Sequence, residues 1–300
     1  MMSMAENTLE IDQANLSEDR LFAGRSTCPI CPHACTLSEG QRGICQARIA
    51  RNGVVIDENY GRITSLALDP IEKKPLARFM PGSSVLSIGS YGCNMRCAFC
   101  QNASIAQACA EAVAWNLMEP DTVADVAAAF AAQGNIGVAY TYNEPLVGFE
   151  FIRDCAQAVH KRGLANVLVS NGQVNAEPLA ELLPLIDAAN IDLKGFTPEI
   201  YRALGGDLAT TLRAIEALAA NPTTHLEVTT LIVTGLNDSR EKLIKEAKWL
   251  ASLDASIPLH ITRFFPCYKM LNAEPTPIET IHAFVDAARE HLDFVYPGNC

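Results

Sequence analysis

From Ser84 to Leu292 the chain alternates short apolar runs with longer stretches of helical character, and that alternation limits the possible folds most. The apolar runs Ser84–Ile88, Ile136–Tyr140, Ala165–Val169, Ala188–Ile191, Thr224–Ile232 and Pro258–Arg263 have the length of strands. Between and after them, Asp121–Gln133, Gly148–Arg162, Glu177–Leu183, Pro198–Leu204, Thr210–Ala220, Ser239–Leu253 and Thr276–Leu292 read as helices. Six strands, each followed by a helix, predict a parallel sheet covered by helices and joined by right-handed crossovers. The expected fold class is α/β, a partial (β/α)6 barrel over residues 81–300, whose ligands gather at the C-terminal ends of the strands. Polar clusters follow the strands in step: Gly92–Gln101, Thr141–Pro145, Ser170–Gly172, Asp192–Lys194, Thr234–Asp238 and Arg263–Cys267. A single cluster of this kind would be an ordinary turn. Six in phase with the strands predict one shared cavity.

The first of these clusters reads G-C-N-M-R-C-A-F-C-Q, so that Cys93, Cys97 and Cys100 form C-x3-C-x2-C with Phe99 before the last cysteine. Soft thiolates at this spacing suit an iron–sulfur centre or zinc. A four-iron four-sulfur cluster on three cysteines would keep one iron open to a small molecule. Structural zinc would need a fourth ligand, and none is near in sequence. A second group, Cys28, Cys31, Cys35 and Cys45, encloses His33 and has Gly40 and Gly43 for its bends. It suits a closed tetrahedral zinc site or a second cluster. Residues 1–80 are therefore expected to be a cysteine-rich metal-binding segment and connector. Within them Met1–Arg25 reads as loose or partly helical, and Gly53–Ser65 as a short hairpin. Asp69–Phe79, dense in charge and proline, reads either as a solvated connecting loop or as a functional segment.

Composition narrows the class. Three hundred residues with 49% apolar content can bury a full core. A net charge of −11 argues against a nucleic-acid-binding surface. The acidic Met1–Arg20 lacks the apolar stretch of a signal peptide, and no run reaches the length of a membrane span. Eleven cysteines in such a chain read as metal ligands in a reducing, cytoplasmic compartment. Cys155 is expected in the core of its helix, Cys267 at the cavity mouth, and Cys300 free.

Together these stretches resemble the radical S-adenosylmethionine (radical SAM) superfamily. Within it the chain is similar to the glycyl-radical-activase-like branch, and most of all to the radical SAM enzyme of the AmmeMemoRadiSam system. The resemblance is carried by Cys28–Cys45, Asp69–Leu76, Gly92–Asn102, Thr141–Pro145, Ile191–Gly195 and Arg263–Met270. It implies a four-iron four-sulfur cluster on Cys93, Cys97 and Cys100 that chelates S-adenosylmethionine and cleaves it to methionine and a 5′-deoxyadenosyl radical. It further implies an electron donor such as flavodoxin or ferredoxin. The hydrogen would come from a small molecule, a side chain of a partner protein of the system, or a backbone glycine of a large partner. By the same resemblance, Asn143-Glu144-Pro145 stands in for a Gly-Gly-Glu segment, with the Glu144 carboxylate meeting the methionine ammonium. Ser170 and Asn171 would line the SAM pocket with Phe99, and Asp192 and Lys194 match an Asp-x-Lys whose lysine faces the SAM carboxylate. Val169 stands where formate-lyase-type activases carry a cation-binding aspartate, and Cys300 ends the chain where related proteins continue. A different class is a non-catalytic, zinc-bearing structural or binding protein on a degenerate barrel. It would be colourless.

Overall fold

The computed structural model describes residues 24–300. Eight strands form one sheet in sequence order: β1 (Ser65–Pro70), β2 (Ser84–Gly89), β3 (Asn135–Tyr140), β4 (Ala165–Ser170), β5 (Ala188–Asp192), β6 (His225–Ile232), β7 (Leu259–Arg263) and β8 (Val295–Gly298). β1 runs antiparallel to β2, and every later pair is parallel. The expected α/β partial barrel is present, extended by one strand at each edge. β1 escaped the sequence reading because it runs into the charged Asp69–Phe79 stretch. β8 escaped because its Val-Tyr-Pro-Gly sequence carries a proline that only an edge strand tolerates.

The crossovers carry α1 (Pro120–Ala129), α2 (Phe149–His160), α3 (Ala176–Leu182), α4 (Pro198–Ala203), α5 (Leu208–Ala220), α6 (Arg240–Leu253) and α7 (Ile278–Arg289). Proline occupies the first turn of α1 and α4, where no backbone N–H is missed. Thr197, Asp207 and Ser239 cap α4, α5 and α6 by accepting from the N–H groups of Ile200, Thr210 and Lys242. On α2 the buried Ile152, Cys155, Ala156 and Val159 recur three and four residues apart, which puts them on one face against the sheet. Cys155 is in the core, as its helical position implied.

Asp69–Phe79 is not a solvated loop. Ile71 and Leu76 have no exposed surface and pack with Val85, Ala139, Val167 and Ala188 on the inner face of the barrel. The segment is a strap across the end of the barrel opposite the cysteine loop. The Asn190 side chain donates to the Pro75 carbonyl at 2.8 Å. The N–H groups of Ala77 and Arg78 donate to the Glu227 carboxylate at 3.0 and 2.8 Å. Arg78 also lies 3.6 Å over the ring of Phe294.

The expected hairpin occurs earlier than Gly53–Ser65. Arg48–Arg51 pairs with Val54–Asp57 around Asn52-Gly53, both with positive φ, which is the turn chemistry a two-residue hairpin needs. Arg62–Ile63 pairs instead with Asn116–Leu117. The buried Arg48 guanidinium makes two 2.7 Å bonds to Glu150 of α2, a bidentate pair that fastens this segment to the barrel. The expectation for Met1–Arg25 falls almost wholly outside the described residues. Among the described residues, no helix is long and apolar enough to cross a membrane.

Candidate functional site

The turn out of β2 depends on Gly92. Its φ is +91°, and a Cβ there would lie 2.6 Å from both the Ala47 methyl and the Cys45 carbonyl. Only glycine lets the loop press this closely against the N-terminal segment. The loop is then held on every side. Cys93 N–H donates to the Cys45 carbonyl at 3.2 Å, and Arg96 N–H to Leu204 at 2.7 Å. The Arg96 guanidinium spans Cys93, Gln107 and the Ile44 carbonyl. His33 Nε2 bonds the Asn94 carbonyl at 2.8 Å, so this imidazole braces the loop from the N-terminal cysteine group. From the far side Lys269 N–H and Cys267 Sγ donate to the Ala98 and Phe99 carbonyls at 3.0 and 3.1 Å. Cys267 thus faces the loop backbone instead of lining the cavity.

Cys93, Cys97 and Cys100 open on one cavity of about 710 Å³ at the C-terminal ends of the strands. Phe99, Asn143, Glu144, Ser170, Asn171, Asp192 and Lys194 line the same cavity. The residues proposed as cluster ligands and S-adenosylmethionine contacts thus share one cavity, whereas the Thr234–Asp238 and Arg263–Cys267 clusters, expected to share it, do not line it. The three thiols are free, and burial pushes each of them up, so they hold their protons until a cation displaces them. Three soft donors converging on a roomy, protein-walled cavity fit an iron–sulfur cluster with an open coordination position. Among the described residues, no three His, Cys, Asp or Glu side chains are gathered to share a single metal ion.

The polar side chains divide into those that build the cavity and those that face it. Asn143 is spent on the fold. Its amide donates to the Tyr91 and Gly92 carbonyls at 3.1 Å and its oxygen accepts from Ser90 N–H at 2.9 Å, clamping the ends of β2 and β3. Glu144 is almost fully buried and accepts from Ser170 Oγ and Asn171 N–H at 2.8 Å and Leu146 N–H at 3.0 Å. Burial pushes its carboxyl up to about 7. Of roughly four acceptor positions on a carboxylate, one remains for a ligand. Asn171 donates to Asn94 Oδ1 at 3.0 Å and reaches Cys93 Sγ at 3.7 Å. Its amide thus reaches the Cys93 sulfur, a contact the sequence did not reveal.

Lys194 Nζ meets the Asp192 carboxylate at 2.7 Å. Burial alone would lower the Lys194 ammonium, but the charge and the hydrogen bond of Asp192 raise it above its usual value. Beside the cavity, Tyr142 has φ +71°, a strained conformation for a bulky residue. Its hydroxyl donates to Asp69 at 2.6 Å, and Lys74 Nζ donates to the same oxygen at 2.8 Å while lying over the Tyr142 ring. Burial disfavours the Asp69 charge, yet these donors hold its carboxyl well below the usual carboxylate range. This is how the charged residues of the strap are accommodated inside the barrel.

A family profile described as the Radical SAM superfamily matches residues 87–250. The chain belongs to the radical SAM superfamily. The matched stretch begins within β2 and takes in the cysteine loop and all the cavity residues named above through Lys194. An uncharacterized protein of Methanocaldococcus jannaschii is 38% identical over 283 residues, covering 94% of this chain and 83% of its own length. Streptococcus suis SuiB bound to S-adenosylmethionine is similar in fold, with a TM-score of 0.57 at 11% identity over 72% of this chain and 52% of SuiB. A radical SAM methyltransferase from Sphaerobacter thermophilus gives a TM-score of 0.52 at 15% identity over 73% of this chain and 67% of its own. At these identities the two structures speak to the fold alone.

The N-terminal cysteines are also free. Cys28, Cys31 and Cys45 are buried and Cys35 is half-buried. Cys28 N–H closes the knuckle by donating to the Cys35 carbonyl at 2.9 Å, and Ala34 takes a positive φ at its tip. Burial pushes the Cys31 thiol up to about 12. Cys300 is free and exposed.

Proposed function

We propose that this chain cleaves S-adenosylmethionine reductively and uses the resulting radical to take a hydrogen atom from a substrate. The carrying observation is the opening of Cys93, Cys97, Cys100 and the Asp192–Lys194 pair onto one cavity. When bound, a four-iron four-sulfur cluster on the three cysteines supplies the electron that splits S-adenosylmethionine into methionine and a 5′-deoxyadenosyl radical. The chain's own residues hold and orient. Lys194 offers its ammonium to the methionine carboxylate, and the remaining acceptor position of Glu144 receives the methionine ammonium. Asn171 donates toward Cys93 and so bears on the electronics of the site. Phe99, only 4% exposed, helps to exclude water from the reacting carbon.

Within the superfamily we assign the chain to the activase-like branch and to the AmmeMemoRadiSam type, on Asp69–Leu76 together with the Asp192–Lys194 pair. We assign a second metal site, zinc or a cluster, to Cys28, Cys31, Cys35 and Cys45, whose free thiols must draw together around the metal because no three of them are gathered on one point here; its loop is tied to the first through His33 and Cys45. An electron donor such as flavodoxin or ferredoxin completes the system. The substrate is a protein side chain, a backbone glycine or a small molecule. The test is electron paramagnetic resonance of anaerobically reconstituted, reduced protein. S-adenosylmethionine should change the cluster signal, and Lys194→Met should raise the concentration needed for that change. A signal indifferent to S-adenosylmethionine would refute the reading.

A further inference from the structure

Below the cysteine loop the cavity wall carries polar groups that S-adenosylmethionine handling leaves unused. Thr229 of β6, His260 of β7 and Tyr296 of β8 occupy matching register positions on adjacent strands and line the same cavity as Cys93. The neighbour of Thr229 on β5 is Asp192, so this row leads away from the Asp192–Lys194 pair toward the β8 edge. Thr229 is only 6% exposed, and its hydroxyl has no hydrogen-bond partner. A buried hydroxyl without a partner costs stability that valine, of the same shape, would not.

His260 is prepared from behind. Its Nε2 lies 2.6 Å from the Glu227 carboxylate, which has no exposed surface and also accepts from His225 Nε2 at 2.8 Å. An ionised carboxylate only accepts, so Nε2 carries the hydrogen. The other nitrogen, Nδ1, makes no hydrogen bond among the described residues. The ring is fixed by stacking on Tyr296 at 5.3 Å. A fixed lone pair and a threonine whose hydroxyl is buried without a partner therefore meet at one cavity from neighbouring strands. An anionic group would meet that lone pair with the Glu227 charge behind it. A hydrogen-bond donor would satisfy it.

We propose that Thr229 and His260 form a substrate-anchoring subsite that takes a hydroxyl or amide N–H group of the molecule from which hydrogen is removed. It rests on the radical SAM reading above. The probes are N-methylacetamide and its N–H-free homologue N,N-dimethylacetamide, applied to cluster-loaded protein. The readout is the rate at which diethylpyrocarbonate modifies His260, followed by peptide mass spectrometry with the exposed His282 as internal control. One hydrogen bond corresponds to about fivefold in affinity, so N-methylacetamide should protect His260 at about one-fifth the concentration that the dimethyl compound requires. Thr229→Val should raise the protecting concentration of both amides by a similar factor, because the threonine hydroxyl donates to the carbonyl they share, and should leave their ratio in place without lowering the Tm of ligand-free protein. Equal protection by the two amides, an unreactive His260 in their absence, or a lower Tm in the valine variant would each overturn the proposal. S-adenosylmethionine cleavage by the same wild-type preparation is scored separately. Its absence beside intact amide selectivity would refute the radical SAM reading and leave a binding site without that chemistry.

Discussion

Glu227 joins the strap to the barrel, and Glu227→Gln measures how firmly. Its carboxylate accepts from Ala77 N–H, Arg78 N–H, His225 Nε2 and His260 Nε2 at 3.0, 2.8, 2.8 and 2.6 Å. Burial disfavours its charge, but the donors outweigh burial and bring its pKa from 4.5 down to about 2. At 1.36 kcal/mol per pKa unit that difference amounts to about 3 kcal/mol, a large part of a total stability on the order of 5–15 kcal/mol. Because the folded value is depressed, the contribution is complete above the unfolded value of 4.5 and is lost as pH falls from there toward 2. Glutamine keeps one acceptor and turns an N–H₂ toward groups that are themselves donors. Urea unfolding should therefore find the variant weaker by about 3 kcal/mol near pH ~5, with the gap falling to less than half by pH ~3. A gap under about 1 kcal/mol at the higher pH, or one that does not narrow, would refute this account of the strap.

Two further perturbations probe other buried groups. Asn171→Leu removes a donor to Cys93 Sγ, which should lower the reduction potential of the cluster in a spectroscopic titration; an unmoved potential would deny Asn171 that role. Glu246 of α6 is 1% exposed with Thr230 Oγ1 as its hydrogen-bond donor, and burial pushes its carboxyl up to about 8. Its raised folded value means stability is lost as pH climbs from 4.5 toward 8, so Glu246→Gln should gain on the order of 1–3 kcal/mol over wild type at the upper end. A difference independent of pH would contradict that.

The strands were legible because parallel strands are buried on both faces and so write continuous apolar runs, as in Val85–Ile88 and Ala165–Val169. Gly92–Gln101 was legible because its chemistry is local in sequence. The strap was not. Its Lys74 is tolerable in a core only because Asp69 and Tyr142 meet it, and Tyr142 is distant in sequence. Asn143 and Asn171 drew attention as cavity residues, and they line the cavity, but the bonds of their amides to the loop and a cysteine sulfur are to partners no local pattern encodes. A signal for the lumen subsite was nevertheless present. In His225-Leu226-Glu227-Val228-Thr229 polar residues alternate through a strand that is otherwise apolar, which marks the face turned into the barrel.

The most direct measurement is the yield of 5′-deoxyadenosine and methionine from S-adenosylmethionine, using reduced, anaerobically reconstituted protein. The wild type should form both in equal amounts. The Cys97→Ala variant, with its helices intact by circular dichroism, should form neither. Turnover by that variant equal to wild type, or none from a wild type carrying a full cluster, would contradict the central claim that this cavity is a site of reductive S-adenosylmethionine cleavage.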